Sequence, residues 1–335
     1  MKKILITGGA GFIGSNFIRY FLEQHPEYSV INYDILTYAG NPDNLKDLEK
    51  NPRYEFVQGD ICDFEKVREL TKKVDAVINF AAETHVDRSI LDASAFINTN
   101  VKGVQILLEA ARDNSVSRFL HISTDEVYGS IENGSFSENS PFAPNSPYAA
   151  SKAAADLLAR SYFITYQMPI LIVRSSNNFG PYQYPEKVIP LFITNALENE
   201  SLPLYGDGLN VRDWLYVLDN ARAIDIVFHE GKIGEAYNIG ANNEITNRDL
   251  TNRILEIMDR PKSLIKFVKD RPGHDKRYSL VTDKMRKLGW RPLYKFEDAL
   301  DETVNWYLKN KEWWQKIKNK RQEYKNYYQK QYDKR

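Results

Sequence analysis

The segment Thr7-Gly8-Gly9-Ala10-Gly11-Phe12-Ile13-Gly14 constrains this chain more than any other. It follows a short apolar run, Lys3–Thr7, and opens an amphipathic stretch, Ile13–Gln24. Glycines at 8, 11 and 14 form G-x-x-G-x-x-G, a variant of the dinucleotide fingerprint. Gly8 permits a tight turn, Gly11 lets the backbone approach a pyrophosphate, and Gly14 lets the helix pack on the strand. The free N–H groups and the helix dipole then face the phosphates. A bare strand–turn–helix is the alternative reading, and the rest of the chain bears on the choice.

Apolar runs continue at Val30–Tyr33, Tyr54–Gln58, Ala76–Phe80, Arg118–Ser123 and Pro169–Arg174. Helical patterns lie between them at Phe64–Lys72, Ala93–Asn114 and Tyr148–Tyr166. Strands alternating with helices predict βαβ units and a parallel sheet. After Arg174 turn residues multiply, and the strand candidates are Ala236–Ile239 and Ile265–Val268. The expected fold is α/β: a Rossmann-type doubly wound parallel sheet with a smaller C-terminal α/β substrate-binding domain. Residues 1–174 would form the NAD-binding domain, with about 211–240 returning to it; 175–210 and 241–335 would form the other.

Length and charge narrow the function. At 335 residues the chain has room for one large domain or two ordinary ones. Forty-five Lys and Arg balance forty-five Asp and Glu, which argues against nucleic acid or an anionic membrane as a partner. One cysteine, Cys62, excludes an internal disulfide framework and a Cys-based zinc site and reads as an inert thiol. The apolar start Ile4-Leu5-Ile6 is too short for a signal peptide, and no run reaches about 18 apolar residues. A soluble cytoplasmic protein is expected.

Asp34 ends the second strand, twenty residues past Gly14. An acid there accepts from ribose hydroxyls and repels a 2′-phosphate, which favours NAD over NADP. Asp60-Ile61 follows the third strand, where an adenine edge would lie; the other reading of Asp60 is a cap for Phe64–Lys72. Phe80-Ala81-Ala82 follows the fourth, small enough for the backbone to run beside a cofactor.

Tyr148-Ala-Ala-Ser-Lys152 is Y-x-x-x-K at a predicted helix start, and positions i and i+4 share a face. A cation beside a phenol lowers its pKa, and such a Tyr can deprotonate an alcohol as hydride leaves its carbon. Ser123-Thr124-Asp125-Glu126-Val127-Tyr128-Gly129 ends the fifth strand. A simple dehydrogenase has no use for two adjacent carboxyls there. Neighbours on a strand face opposite sides, so both reach one substrate only if the chain turns. In one apolar site they would split into an acid and a base; solvated acids on a strand-end turn are the alternative.

With these segments in view, the sequence resembles the dTDP-glucose 4,6-dehydratases of the extended short-chain dehydrogenase/reductase family over nearly its whole length. The resemblance runs through Thr7–Gly14, Asp34–Asn41, Ala81–Ser89, Ser123–Gly129, Tyr148–Lys152, Asn177–Gln183, Pro185–Pro190, Arg212–Trp214 and Arg271–Asp275. It implies NAD as cofactor and dTDP-glucose as substrate. Tyr148 would be the C4 base, Glu126 the C5 base and Asp125 the acid at the C6 hydroxyl. Thr124 would bond O4, and Lys152 the nicotinamide ribose. The resemblance adds Thr37, Thr84, Thr99 and Asn178 to the cofactor site. It assigns substrate contacts to Thr84, Asn177, Lys187, Val188, Pro203, Tyr205, Arg212, Asn247, Arg271 and His274, beside Thr124, Asp125 and Glu126. A homodimer through Ala93–Asn114 and Tyr148–Tyr166 is implied as well. No motif separates thymine from uracil.

Several residues carry plainer readings. Arg212 can pair with Asp213, and His274 can be a surface histidine. His85 and His121 read as packed or hydrogen-bonded, and no metal is expected. Ser130–Pro147, polar and proline-bearing, is a candidate lid. The tail from Lys309 carries ten Lys or Arg and three Asp or Glu, with Trp313, Trp314, Ile317, Tyr324 and Tyr328 near helical spacing. It reads as a helix with one packed and one solvated face. A UDP-sugar 4-epimerase or decarboxylase is the alternative enzyme, against which Asp125-Glu126 argues. A non-catalytic NAD-binding protein would not be expected to keep Tyr148, Lys152, Asp125 and Glu126 together.

Overall fold

Six of the apolar runs pair in parallel as the body of one sheet. In the computed structural model, which describes residues 1–320, these are β1 (Lys2–Thr7), β2 (Tyr28–Asp34), β3 (Tyr54–Gln58), β4 (Ala76–Asn79), β5 (Arg118–Thr124) and β6 (Ile170–Ser175). The chain then makes β7 (Asn177–Phe179), β8 (Leu202–Tyr205) and β9 (Val211–Tyr216) before β10 (Ala236–Ile239) returns to the sheet beside β6. The seven-stranded order is β10-β6-β5-β4-β1-β2-β3. Order reverses at β1, so a crevice opens at the carboxyl ends of β1 and β4, where open α/β sheets bind ligands.

Helices cover both faces, which is why β2 and β4 through β6 are almost wholly buried. On one face Phe17, Phe21 and Leu22 of helix Phe12–Gln24 pack with Ile224, Val227 and Phe228 of helix Val217–Glu230. On the other, Val67, Leu107, Leu108, Ala155 and Ala159 cover Leu5, Ile31, Val77 and Phe119. The stretch read as one helix, Ala93–Asn114, is wound in three parts: Ser94–Phe96, a π-helical segment Ile97–Gly103, and Val104–Asp113. The wider turn sets Asn100 inward, where its amide donates to the Glu83 carbonyl and to Ser151 Oγ, both at 2.9 Å.

The remaining strands are small. β9 lies between β7, parallel to it, and β11 (Glu244–Thr246), antiparallel. β12 (Ile265–Val268) pairs with β8. β7, β8, β9 and β11 escape a sequence reading because they are three to six residues long in turn-rich surroundings. A separate core joins them to helices Val188–Leu197, Asn247–Ile257 and Phe296–Lys309 through Phe192, Leu204, Trp214, Leu250 and Leu300. Val217–Glu230 returns to the large sheet, as do Met285 and Trp290. In the last described helix, Lys311–Lys320, Trp313, Trp314 and Ile317 are buried and Trp313 donates to Asn44 Oδ1 at 2.9 Å; Tyr324 and Tyr328 lie outside the described residues. Among the described residues no helix is long and apolar enough to cross a membrane.

Candidate active site

A groove of about 310 Å³ runs along the carboxyl ends of the large sheet. Its floor is the glycine turn. Gly8 sits at φ +70°, and a Cβ there would lie 2.5 Å from Ala81 N, so only glycine lets β1 and the β4 end approach this closely. A Cβ on Gly14 would lie 2.6 Å from the Gly8 carbonyl. Helix Phe12–Gln24 has no side-chain cap, so its first N–H groups are left for a ligand at the groove lined by Gly11, Phe12 and Ile13.

Asp34 Oδ2 accepts from Ala10 N at 2.9 Å and Oδ1 from Leu36 N at 2.8 Å. The acid therefore ties the glycine turn to the end of β2 while lining the groove beside Thr37. Burial pushes its pKa up, against those two backbone N–H groups. Asp60 and Ile61 line the same wall. The cap reading of Asp60 is corrected: Asp63 caps helix Phe64–Thr71 through Lys66 N, and Asp60 Oδ1 accepts from Cys62 N at 2.9 Å. Phe80, Ala81, Ala82, Thr84, Thr99 and Asn178 complete the cofactor set that the resemblance implies, all on this one groove.

Ser146 caps helix Pro147–Tyr166 through Ala149 N, with Pro147 in the first turn. Tyr148 thus stands at the helix start and Lys152 one turn later, both buried on the groove. Lys152 is bonded to the main chain rather than to the phenol. Lys152 Nζ donates to the Ile122 carbonyl at 2.7 Å, the nearest acceptor for a buried ammonium. Burial, then the charge of Glu126, pushes the Tyr148 pKa up, and the Thr124 hydroxyl, hydrogen-bonded to it, pulls it down. Burial also lowers Lys152 to about 8, opposed by Asp156.

The two carboxyls share the site because β5 ends in a 3₁₀ turn, Asp125–Tyr128, capped by Thr124. Asp125 is 2 % exposed, and its Oδ2 has no hydrogen-bond partner among the described residues. Burial first, and Glu126 second, raise its pKa well above the carboxylate range. Glu126 is less enclosed. Burial raises its pKa too, but Arg271, Arg212 and Lys187 all favour its charged form. One carboxyl is thereby disposed to hold a proton and the other to remain a base.

Glu126, Asn177 and Lys187 also line a second cavity of about 150 Å³, walled by the small core. Val188, Pro203, Tyr205, Arg212, Asn247, Arg271 and His274 line it as well, bringing together substrate candidates up to 148 residues apart from Glu126. The ion-pair reading of Arg212 is corrected. Strand neighbours face opposite ways, so Arg212 lies over the Tyr278 ring at 4.3 Å and donates to the Asp275 carbonyl, while Asp213 accepts from Asn243 N. His274 is not a surface histidine: it faces Asp270 at 2.6 Å and burial lowers it to about 4.

Sequence reasoning missed Asp87 and Glu186. Asp87 accepts from Arg271 at 3.2 Å and from the Tyr205 hydroxyl at 3.0 Å, so it orients a candidate anion ligand. Glu186 accepts from Arg88 Nε at 3.1 Å, and Arg88 lies 3.8 Å from the Tyr38 ring centroid. Lys187 donates to the Thr84 carbonyl at 2.9 Å. These contacts bind three loops around the groove, and the signal available was their position inside the segments Asp34–Asn41, Ala81–Ser89 and Pro185–Pro190. The candidate lid, Ser130–Pro147, is also corrected. Phe136 N donates to the Ser279 carbonyl, Phe136 stacks on Tyr128 and the stretch docks along 275–281; none of its residues before Tyr148 lines either cavity. His85 and His121 are buried, and His121 Nδ1 meets Asn79 Nδ2 at 3.2 Å.

Residues 5–303 match the profile of the GDP-mannose 4,6 dehydratase family. The chain is 53% identical over 305 residues to a low-salt glycan biosynthesis protein of Haloferax volcanii, covering 91% of this chain and 98% of that one. It is 50% identical over 318 residues to a dTDP-glucose 4,6-dehydratase of an Actinoplanes species, covering 93% and 99%. It is similar to the crystal structure of the dTDP-glucose 4,6-dehydratase of Streptomyces venezuelae, solved with NAD bound, at TM-score 0.93 and 52% identity over 94% of this chain and 99% of that one.

Proposed function

The chain belongs to the GDP-mannose 4,6 dehydratase family, and on that footing we propose that it acts as an NAD-dependent dTDP-glucose 4,6-dehydratase, giving the 4-keto-6-deoxy sugar nucleotide. The observation that carries this reading is the Asp125–Glu126 pair turned into the groove beside Tyr148. C4 inversion alone needs no acid to expel the C6 hydroxyl. The groove fits NAD: Gly8 and Gly14 leave no room for a Cβ, and the Asn178 Oδ1 on its wall has no partner among the described residues. When bound there, NAD⁺ supplies the acceptor for the C4 hydride and its return to C6.

The residues divide the remaining work. Tyr148 takes the proton of the C4 hydroxyl, and Thr124 holds O4. The 4-ketone acidifies C5–H, and Glu126 removes that proton. The C5–H electrons form C5=C6 as the C6–O bond breaks, and Asp125 gives its proton to the departing hydroxyl, which leaves as water. Glu126, whose proton exchanges with solvent, then protonates C5. The proton gained by Tyr148 balances the one lost by Asp125. Lys152 fixes the nicotinamide ribose, Asp34 the adenosine ribose, and Arg212, Arg271 and Lys187 bind the diphosphate. Residues 1–174 serve the dinucleotide together with 217–240, rather than the expected 211–240, because Val211–Tyr216 pairs in the small sheet; the small core serves the sugar nucleotide.

Exposed Ile97, Leu157 and Ile164 on helices flanking the groove support a homodimer through those helices. A soluble cofactor and a charged sugar nucleotide fit the cytoplasm.

The deciding experiment incubates the enzyme with dTDP-glucose in deuterated water, and UDP-glucose in parallel, followed by NMR. The expected product has lost water and carries deuterium at C5. Conversion of UDP-glucose to its C4 epimer without loss of water would establish the epimerase instead. The Asp34 assignment is checked by binding: NADP⁺ binds at least roughly tenfold more weakly than NAD⁺, because a 2′-phosphate meets a carboxylate. Equal affinities would remove that role.

A further inference from the structure

We propose that His25, Asp225 and His229 form a binding site for a divalent transition-metal ion of the zinc class, at the edge of the large sheet opposite the reaction. Nothing in the dehydratase reading requires it, and it reverses the expectation of no metal. His25 Nε2 lies 2.9 Å and His229 Nδ1 3.0 Å from the same Asp225 Oδ1. The three ligand atoms lie within 4.8 Å of one another. Donors on a tetrahedral zinc ion stand roughly 3.3 Å apart, so the two histidine–carboxylate pairs open by a few tenths of an ångström while the two ring nitrogens, which lie within 4.8 Å of each other, draw together.

The surroundings are those of a ligand set. Each ring presents its other nitrogen to an oxygen: His25 Nδ1 faces Glu27 Oε1 at 3.6 Å, and His229 Nε2 faces the Tyr28 hydroxyl at 3.3 Å. Outer oxygens of this kind orient ligand rings; His229 Nδ1 also lies 3.1 Å from the Asp225 carbonyl, so binding an ion there displaces that contact. Two histidines with one carboxylate, open on one side, leave a fourth position for water. The side chains of His25 and His229 are 20% and 27% exposed, so an ion can enter, while Asp225 is held at 11%. His25 caps the carboxyl end of helix Phe12–Gln24, and His229 is in the last turn of helix Val217–Glu230. Two negative dipole ends therefore converge here. Arg53 and Arg118 bond carbonyls of these helix ends and offset that field, so the carboxylates of Asp225 and Glu27 carry the charge that balances the ion. Helix Phe12–Gln24 starts at the glycine turn, so its far end lies about 20 Å from the groove.

Zinc titration of the untagged, NAD-loaded full chain by calorimetry tests this. One saturable site per chain is expected, together with a rise in Tm on adding Zn²⁺. His25→Gln and His229→Gln should each weaken binding at least roughly tenfold and abolish the Tm rise. Dehydratase activity of His25→Gln should be unchanged. Cys62→Ser, which removes the one thiol, should keep the site. Absence of saturable binding, or binding unaltered in both histidine variants, would overturn the proposal. If His229→Gln does not fold, His25→Gln decides alone, because its ring stands at a helix end.

Discussion

Glu126→Gln stops the reaction after oxidation at C4. The amide keeps the shape of the side chain and its place on the turn after Thr124, but cannot accept the C5 proton. Arg271, Arg212 and Lys187 favour the charged form of Glu126, as the proposed role of a base beside a protonated Asp125 requires. Loss of a positioned base costs roughly 10²–10⁴ in rate. Exchange of C5 hydrogen with deuterated water, followed by NMR, is therefore expected to fall by that factor while the 4-ketohexose accumulates on the enzyme. Tyr148→Phe gives the opposite stall: no 4-ketone forms, because the C4 hydroxyl keeps its proton. Undiminished C5 exchange in Glu126→Gln would assign the base to another residue.

Asp156→Ala has the largest expected effect on stability. Asp156 is 1% exposed and accepts from Arg174 Nε at 2.7 Å, while His121 Nε2 stands 3.7 Å from its other oxygen. Arg174 also donates to the Tyr128 hydroxyl, which donates in turn to Asn238. On the other side His121 meets Asn79, which accepts from the Thr7 hydroxyl. Polar groups of five strands, the Asp125 turn and the catalytic helix thus meet beneath the groove. Removing the carboxylate leaves Arg174 buried without its counter-charge, a loss of about 3–5 kcal/mol. Urea denaturation should show it as a lower midpoint at unchanged slope. A loss below about 1 kcal/mol would mean that water reaches Arg174.

The same substitution touches catalysis through Lys152, whose charged form Asp156 favours. Burial takes Lys152 from its ordinary 10.5 to about 8 on folding. The unfolded chain therefore holds more protons between those values, and the lysine's contribution to stability rises with pH across that window. Without Asp156 the folded value drops further, and the rise begins at lower pH.

Much of this molecule was legible in one dimension because its chemistry is local. The turn at Gly8–Gly14 needs residues without a Cβ within seven positions, Y-x-x-x-K needs one helical turn, and parallel strands buried on both faces must be apolar runs. Those signals are set by backbone sterics and by helical or strand period, so sequence alone determined the large sheet, the groove and the residues on it. The charges of those residues were decided elsewhere. Lys152 could be placed beside Tyr148 by spacing, but its partner is the Ile122 carbonyl, thirty residues away. Asp125 and Glu126 differ because Arg212 acts on both while Arg271 and Lys187 add their charge at Glu126, and those cations come from three separate segments. Asp87, Glu186 and the His25–Asp225–His229 cluster belong to the same class. Desolvation and Coulomb forces act through space, across separations of up to 204 residues here, and no spacing rule along the chain encodes them.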